Sequence, residues 1–209
     1  MIYMKKEDLI ALLEIEGYSN FIVKAFEKVN REDFISDHLK SQAYSNSALP
    51  TQEGQTISQP SCIAMILDML ELEELMNKKN VKILEIGSGT GYVIALLSEM
   101  LSNAKIYGLE IKSSLAKGSQ KILKDNKRVK IMNKSGFNGY KKEAPYDRIL
   151  ISASAPNKKV IINLISQLKD EGLLGSPVGY DLIKIRKKGK KITKEEMKNK
   201  VMFVPLINE

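Results

Sequence analysis

A glycine-rich turn between an apolar strand and an apolar helix restricts the fold of this chain more than any other segment. Residues 81–95 read VKILEIGSGTGYVIA, with glycine at positions 87, 89 and 91. Glycine lets the backbone turn sharply and lets a ligand approach without a Cβ in the way. In open α/β sheets such a turn lies at the carboxyl end of a strand, where ligands bind. The segment therefore predicts a ligand-binding α/β fold.

The rest of the chain continues this alternation. Short apolar runs predict strands at 81–87, 105–111, 128–133 and 147–153, and helical spacing predicts helices at 91–102, 113–125 and 158–169. Strand–helix alternation is typical of a doubly wound, Rossmann-like sheet that is mostly parallel, with helices on both faces. Three further runs, 172–179, 181–187 and 201–207, have no helices between them and predict antiparallel strands at the C-terminal end.

The N-terminal part is predicted to be a helical extension. Apolar residues at helical spacing predict helices at 6–16, 20–28 and about 61–76. Residues 42–61 lack periodicity and are rich in Ser, Gln, Gly and Pro, which predicts a loop.

Two acids beside the glycine turn indicate which ligand it suits. Its spacing is G-x-G-x-G, and Tyr92 occupies the position where a dinucleotide-binding turn needs a third small residue. Glu85 would repel a pyrophosphate but can accept a hydrogen bond from an ammonium group. Glu110 ends the second strand, where a carboxylate can accept from both ribose hydroxyls. We therefore predict S-adenosylmethionine as the cofactor; the alternative is that both acids are merely exposed at strand ends.

Composition narrows the remaining functional classes. The net charge is +8, and lysines crowd residues 117–142 and 184–200, with no aromatic residue in the second run and only two near the end of the first, so a solvated basic surface is favoured over a nucleic-acid site. A single cysteine, Cys62, excludes an internal disulfide, and its apolar neighbours predict a buried structural thiol. His38 lies in a polar stretch and is predicted to be a surface residue rather than a metal ligand. No signal peptide or membrane span is visible, so we expect a cytoplasmic protein.

Six stretches resemble the protein-L-isoaspartate O-methyltransferase family, also called protein-β-aspartate methyltransferases. They are AFEKVNREDFI (25–35), ALPTQEGQTISQP (48–60), EIGSGTGY (85–92), APYDRILISASAP (144–156), QLKDEGLLGSPVG (167–179) and FVPL (203–206). The resemblance covers the chain from about Leu9 to Ile207, and GQTISQP is its most specific part. It implies a class I S-adenosylmethionine-dependent methyltransferase fold. We expect one methyltransferase domain, 1–209, with a helical and substrate-loop region (1–78) and a cofactor-binding core (79–209).

The resemblance also implies a reaction. Members of the family methylate the abnormal carboxylate of L-isoaspartyl residues, and in some cases D-aspartyl residues, in damaged proteins, which initiates repair; S-adenosylhomocysteine is the product and no metal takes part. A carboxylate is ionised at neutral pH and can attack the methyl group directly, so no general base is required. The protein then has to position the reactants and exclude water.

Site residues are carried over from the family position by position. By resemblance, the cofactor-binding set is Glu85, Gly87, Ser88, Gly89, Gly91, Glu110, Ser135 and Gly136. Ser58 matches the family's active-site serine and is expected to orient the acceptor carboxylate, with Thr56, Ile57 and Gln59 as further substrate contacts. Asp147, at the entry of a strand, is expected to have a structural role.

This chain departs from the family after its third sheet strand. The family's Gly-Asp-Gly, whose acid contacts the adenine amino group, reads Lys134-Ser135-Gly136 here. Ser135 can accept a hydrogen bond but carries no charge, which would weaken cofactor binding by about 1 kcal/mol.

Two other functions stay open at this point. A methyltransferase of the same fold could act on RNA, but RNA-binding surfaces use stacking aromatic residues and the chain has no Trp. A cofactor-binding protein with weakened catalysis would be expected to have lost the glycine turn or GQTISQP, and both are intact. We expect isoaspartyl proteins and peptides as partners, a monomer, and no membrane or nucleic-acid partner.

Overall fold

The N-terminal part of the chain forms three helices and a small hairpin. The computed structural model describes residues 4–198 and 201–208. Within them the first elements are α1 (Lys6–Ile15), α2 (Asn20–Lys28), the two-residue strands β1 (Leu49–Pro50) and β2 (Thr56–Ile57), and α3 (Pro60–Met69), with short 3-10 segments at Arg31–Phe34, Asp37–Gln42, Gln52–Gly54 and Leu72–Leu75. Pro60 is at the first turn of α3, where its missing N–H costs no helical hydrogen bond.

Seven strands form the central sheet. The elements after α3 are β3 (Val81–Ile86), α4 (Tyr92–Met100), β4 (Ala104–Glu110), α5 (Ser113–Ile122), β5 (Val129–Asn133), β6 (Tyr146–Ile151), α6 (Lys158–Ile165), β7 (Leu168–Val178), β8 (Asp181–Lys188) and β9 (Lys191–Met197). The strand order is β5-β4-β3-β6-β7-β8-β9. The first five of these strands are parallel, and β8 and β9 are antiparallel to their neighbours. The predicted α/β class and mostly parallel sheet are confirmed.

Apolar cores on both faces of the sheet hold it in place. Alternate residues of a strand point to opposite faces, so Val81 and Ile83 of β3 belong to one buried cluster and Leu84 and Ile86 to the other. Helices α1 to α4 contribute to the first cluster and α6 to the second. The glycine turn after β3 is therefore carried by a strand that is buried on both sides.

One predicted C-terminal strand is wrong and one observed strand was missed, although antiparallel strands at this end are confirmed. Residues 201–207 do not form a strand: Pro205 makes an isolated bridge with Ser154, and the run is buried at Val201 and Leu206 without a ladder. The antiparallel edge strand is β9, whose residues from Lys191 to Glu196 are all exposed. Hydropathy predicted a strand at 201–207 because that run is apolar. It missed β9 because the side chains of β9 are exposed and give no apolar pattern.

Element boundaries also differ from the prediction in the N-terminal part. The helix predicted to reach residue 76 ends at Met69, because Glu71 adopts a left-handed conformation (φ 49°) and its carboxylate pairs with Lys184 and Arg186 of β8. The stretch 42–61, predicted as a loop, contains the β1–β2 hairpin. In the described residues, no helix has both the length and the apolar character to cross a membrane.

Candidate active site

Backbone geometry explains the three glycines after β3. Gly87, Gly89 and Gly91 have φ angles of 74°, 52° and 87°, a region that side chains strongly disfavour. The Gly87 N–H donates to the carbonyl of Leu109 at 2.8 Å, which fixes the turn to the end of β4. A Cβ on Gly91 would lie 2.9 Å from the Cβ of Ser119 in α5. The turn thus requires glycine for conformation and, at position 91, also for close packing.

Glu85 presents a buried carboxylate with one unsatisfied oxygen. The residue is 1% exposed, and its Oε1 accepts a hydrogen bond from Ser152 Oγ at 2.6 Å, while Oε2 is buried and has no hydrogen-bond partner in the described residues. Burial raises the pKa of Glu85 to about 8, although the Ser152 hydrogen bond opposes the shift. An unpaired buried acceptor is unfavourable, and a cationic donor such as an ammonium group would satisfy it. This position fits the amino group of S-adenosylmethionine.

Glu110 is fixed at the adjacent strand end. Its Oε2 accepts from the Gly89 N–H at 2.7 Å and its Oε1 from the Lys112 N–H at 2.8 Å. Each carboxylate oxygen has a second acceptor site, so the group can still bind hydroxyl donors. The Gly89 contact also joins the glycine turn to the end of β4.

Glu85 and Ser88 line a smaller cavity, described below, whereas Glu110 lines an adjoining cleft with about 510 Å³ of empty space, part of it open to solvent. The cleft is lined by Gly87, Gly89, Glu110 and Gly136, by Gln55 and Thr56 of the N-terminal loop, and by residues 204–207 near the C-terminus. A cofactor in this cleft would lie between two chain segments that come from opposite ends of the sequence.

A second, smaller cavity of about 300 Å³ adjoins the cleft and contains Ser58. Ser58 is half-buried and faces a lining that includes Ile57, Ser88 and Tyr92. Four residues line both cavities: Thr56, Gly87, Gly89 and Ser152. The structure thus places the predicted acceptor serine next to the predicted cofactor cleft; below, this cavity is called the acceptor pocket.

The loop that carries Ser58 is fastened across the cleft by Glu53. The Glu53 carboxylate accepts hydrogen bonds from the hydroxyl and the backbone N–H of Ser114 in α5, and lies 3.8 Å from Lys112 Nζ. These hydrogen bonds hold the pKa of Glu53 below its ordinary value. The contacts keep Gln55 and Thr56 in place as one wall of the cleft.

Three of the predicted site residues line neither cavity. Gln59 caps α3, and its Oε1 is 3.8 Å from Cys62 Sγ. Gly91 packs against α5. The Ser135 hydroxyl donates to Asn208 Oδ1 at 2.9 Å, so the residue that replaces the family's acid contacts the segment near the C-terminus. Its neighbour Gly136 does line the cleft, and a Cβ there would lie 2.2 Å from Ile86 Cγ2.

Some residues of the site were missed at the sequence level. Ser152 follows β6, and its position at the carboxyl end of a strand next to β3 is the signal that could have found it. Residues 204–207 were interpreted as part of a strand and, within FVPL (203–206), as a family stretch, but no role in the site was assigned to them. Lys112 gave no signal, because its role depends on a backbone N–H that the sequence does not reveal.

The remaining polar candidates lie outside the two cavities. Asp147 accepts from the Lys82 N–H at 2.8 Å and from Lys169 Nζ at 2.6 Å, which agrees with a structural role at the start of β6. Cys62 is half-buried, less buried than expected, and burial raises the pKa of its thiol. His38 is exposed. Residues 4–198 and 201–208 contain no group of three His, Cys, Asp or Glu side chains that could hold a metal ion.

Comparison with known proteins gives a consistent result. The family model described as protein-L-isoaspartate(D-aspartate) O-methyltransferase matches residues 4–209. The protein-L-isoaspartate O-methyltransferase of Parvibaculum lavamentivorans is 36% identical over 215 residues, which cover 97% of this chain and 91% of that protein. The one from Thermococcus sibiricus is 37% identical over 221 residues, covering 100% and 96%.

Solved structures show the same fold. A protein-L-isoaspartate O-methyltransferase superposes with a TM-score of 0.84 at 24% identity, covering 96% of this chain and 65% of that one. A Plasmodium falciparum structure described by the same activity, in complex with S-adenosyl-L-homocysteine, gives 0.79 at 24% identity with both chains fully covered. Given the family model and the relatives of 36% and 37% identity, this chain belongs to the protein-L-isoaspartate(D-aspartate) O-methyltransferase family.

Proposed function

We propose that this protein transfers the methyl group of S-adenosylmethionine to the free carboxylate of L-isoaspartyl residues in damaged proteins, and thereby initiates their repair. The observation that carries the proposal is the wall shared by the acceptor pocket and the cofactor cleft. Thr56, Gly87, Gly89 and Ser152 line both, so a carboxylate beside Ser58 would lie next to a cofactor held by Glu85 and Glu110.

Each site residue has a distinct task in this proposal. When bound, S-adenosylmethionine supplies the electrophilic methyl group. Glu85 accepts from the cofactor's ammonium group and Glu110 from its ribose hydroxyls, while the turn from Gly87 to Gly91 allows close backbone approach. The carboxylate of the acceptor needs no base, so Ser58 acts as an orienting donor, since no group beside it could activate it as a nucleophile.

Orientation and exclusion of water supply the rate enhancement in this scheme. Holding two reactants in near-attack geometry converts a bimolecular step into an effectively unimolecular one. The Glu53 contacts with α5 keep the loop of Thr56 to Gln59 against the cleft and so support this positioning. Ser135 and Gly136 would lie at the adenine end, with Ser135 contributing a neutral group where the family has an acid.

The proposal extends to the context of the protein. The helices α1 to α3 share one apolar core with a face of the sheet, which supports a single domain for residues 1–209. One half-buried cysteine suits a reducing, cytoplasmic compartment. We also propose that the protein acts as a monomer on proteins and peptides rather than on nucleic acid or at a membrane.

Labelled methyl transfer tests the function directly. The protein is incubated with methyl-labelled S-adenosylmethionine and, separately, an isoaspartyl peptide, its aspartyl and D-aspartyl counterparts, and RNA. We expect base-labile label in the isoaspartyl peptide and none in the aspartyl peptide or the RNA. Label in RNA without label in the isoaspartyl peptide would contradict the proposal; label in the D-aspartyl peptide would add a second acceptor.

A further inference from the structure

Arg31 is a buried cation whose hydrogen-bonding capacity is largely unused. The side chain is 0% exposed, and within residues 4–198 and 201–208 its only hydrogen bond is from Nη2 to the Ser47 carbonyl at 3.3 Å. Nε and Nη1 are buried and have no hydrogen-bond partner among the residues that the structure describes. Burial lowers the pKa of Arg31 to about 10, which still leaves the guanidinium charged at neutral pH. A charge in this position is costly unless something compensates it.

Arg148 is a second buried arginine in this fold, and its charge is compensated by a carboxylate and by backbone carbonyls. Its guanidinium lies 3.2 Å from the Glu74 carboxylate and donates to the carbonyls of Leu70 and Glu71. Arg31 has no ion pair with any described carboxylate. Besides the hydrogen bond to Ser47, its favourable electrostatic contact in the described part of the chain is with the ring of Tyr92, whose centroid lies 5.3 Å from the guanidinium carbon.

Tyr92 connects this cation to the acceptor pocket. It is the first residue of α4, immediately after the glycine turn, and it lines the pocket together with Ser58 and Ser88. Among the described residues that line the pocket none is Lys, Arg or His, and the one carboxylate is Glu85. A carboxylate acceptor would therefore enter a pocket with no basic side chain in its lining, and Arg31 lies directly behind one wall.

We infer that Arg31 is a positioning residue that supplies the positive charge for an anionic acceptor: its unpaired guanidinium behind Tyr92 favours an ionised carboxylate beside Ser58. The inference rests on the proposed function for the identity of that carboxylate. Its hydrogen bond to the Ser47 carbonyl also holds the cation against the segment before β1, and β1 pairs with β2 directly before Ser58. The unfavourable burial of Arg31 in the free protein would then be offset when the acceptor binds.

The preference for an anionic acceptor tests this role. Two peptides are compared in the presence of S-adenosylhomocysteine by calorimetry: an isoaspartyl peptide, and the same peptide with the free carboxylate replaced by a carboxamide. A unit charge about 10 Å from another in protein surroundings changes affinity by about tenfold. We expect the wild type to prefer the anionic peptide by about tenfold or more. Arg31→Met should lose this preference and Arg31→Lys should keep most of it.

Further measurements separate an electrostatic role from a structural one. In Arg31→Met the KM for the isoaspartyl peptide should rise about tenfold, while the Kd for S-adenosylhomocysteine stays unchanged. Arg128→Met is the matched control, because Arg128 donates to the carbonyls of Ser98 and Leu101 and does not line the acceptor pocket. This variant should keep the preference for the anionic peptide even if its stability is lower. If Arg31→Met does not fold, Arg31→Gln removes the charge and retains a donor for the Ser47 carbonyl.

The outcomes distinguish this inference from the proposed function. A folded Arg31→Met or Arg31→Gln variant that keeps the full anionic preference would overturn the inference, as would equal weakening of both peptides. In either case methylation of the isoaspartyl peptide by the wild type would leave the proposed function standing. A wild type that neither binds nor methylates the isoaspartyl peptide would overturn both.

Discussion

Ser152 Oγ donates a hydrogen bond to Glu85 Oε1 at 2.6 Å, which joins the residue after β6 to the carboxyl end of β3. Glu85 Oε2 is buried and has no hydrogen-bond partner in the part of the chain that the structure describes. Burial raises the pKa of Glu85 to about 8, which favours the protonated form of this carboxyl at neutral pH in the protein without cofactor. An ammonium donor, by contrast, favours the ionised form. Cofactor binding and the protonation of Glu85 are therefore linked.

The first prediction concerns the pH dependence of cofactor affinity. Because the ammonium of S-adenosylhomocysteine binds the ionised carboxylate, its Kd should fall as the pH rises from 6 toward 8, by up to about tenfold per pH unit. Binding at pH 7 should release a proton, which calorimetry in buffers of different ionisation enthalpy detects. Glu85→Gln should remove both effects, and a wild type without proton release would contradict the assignment.

Stability without cofactor should show the opposite dependence on pH. The folded-state pKa of Glu85 is about 8 against an ordinary value of 4.5, so between these pH values the folded state holds a proton that the unfolded chain has lost. The stabilisation of the folded state by this proton is complete below pH 4.5 and is lost as the pH rises through 8. Glu85→Gln should therefore exceed the wild type in free energy of unfolding at pH 8, by on the order of a few kcal/mol. Urea unfolding at pH 5 and pH 8 tests this; a difference that does not grow with pH would contradict it.

Removal of the Ser58 hydroxyl should affect turnover more than cofactor binding. Ser58 lines the acceptor pocket but not the cofactor cleft. For Ser58→Ala we expect kcat on the isoaspartyl peptide to fall by about tenfold or more, as for the loss of an orienting donor worth about 1–2 kcal/mol. The Kd for S-adenosylhomocysteine should stay close to that of the wild type. A variant whose only defect is in cofactor affinity would place Ser58 in the cleft instead.

An acid at position 135 should strengthen cofactor binding. Ser135 is half-buried and donates to Asn208. It is a neutral residue next to Gly136, which lines the cleft. Ser135→Asp adds a charged acceptor for the adenine amino group, and we expect the Kd for S-adenosylhomocysteine to fall several-fold, or by about 1 kcal/mol. Ser135→Ala serves as the control and should change the Kd little. Equal Kd values for Ser135→Asp and the wild type would show that this position does not contact the adenine.

Local patterns in the sequence predicted the parts of the fold that local physics determines. The strand 81–86 and the turn at Gly87, Gly89 and Gly91 follow from hydropathy and from backbone conformation, and both were recovered. β9 was missed because its side chains are exposed and its pairing leaves no apolar pattern.

The site was predictable only where single residues carry the signal. Glu85 and Glu110 stand out because acids at strand ends beside a glycine turn are informative by position. Their partners were not predictable: Ser152 is 67 residues from Glu85. The burial of Arg31 without an ion pair among the described residues likewise could not be predicted, because it depends on residues that are distant in the sequence. Contacts across the sheet, rather than the residue types themselves, complete the site.

The rate ratio between an isoaspartyl peptide and its aspartyl counterpart tests the proposed activity most directly. Both peptides are assayed at the same concentration with labelled S-adenosylmethionine, and the label released by mild base is counted over time. We predict initial-rate methylation of the isoaspartyl peptide and no transfer above background to the aspartyl peptide. Equal rates for the two peptides, or no base-labile product from either, would contradict the assignment of this chain as an isoaspartyl methyltransferase.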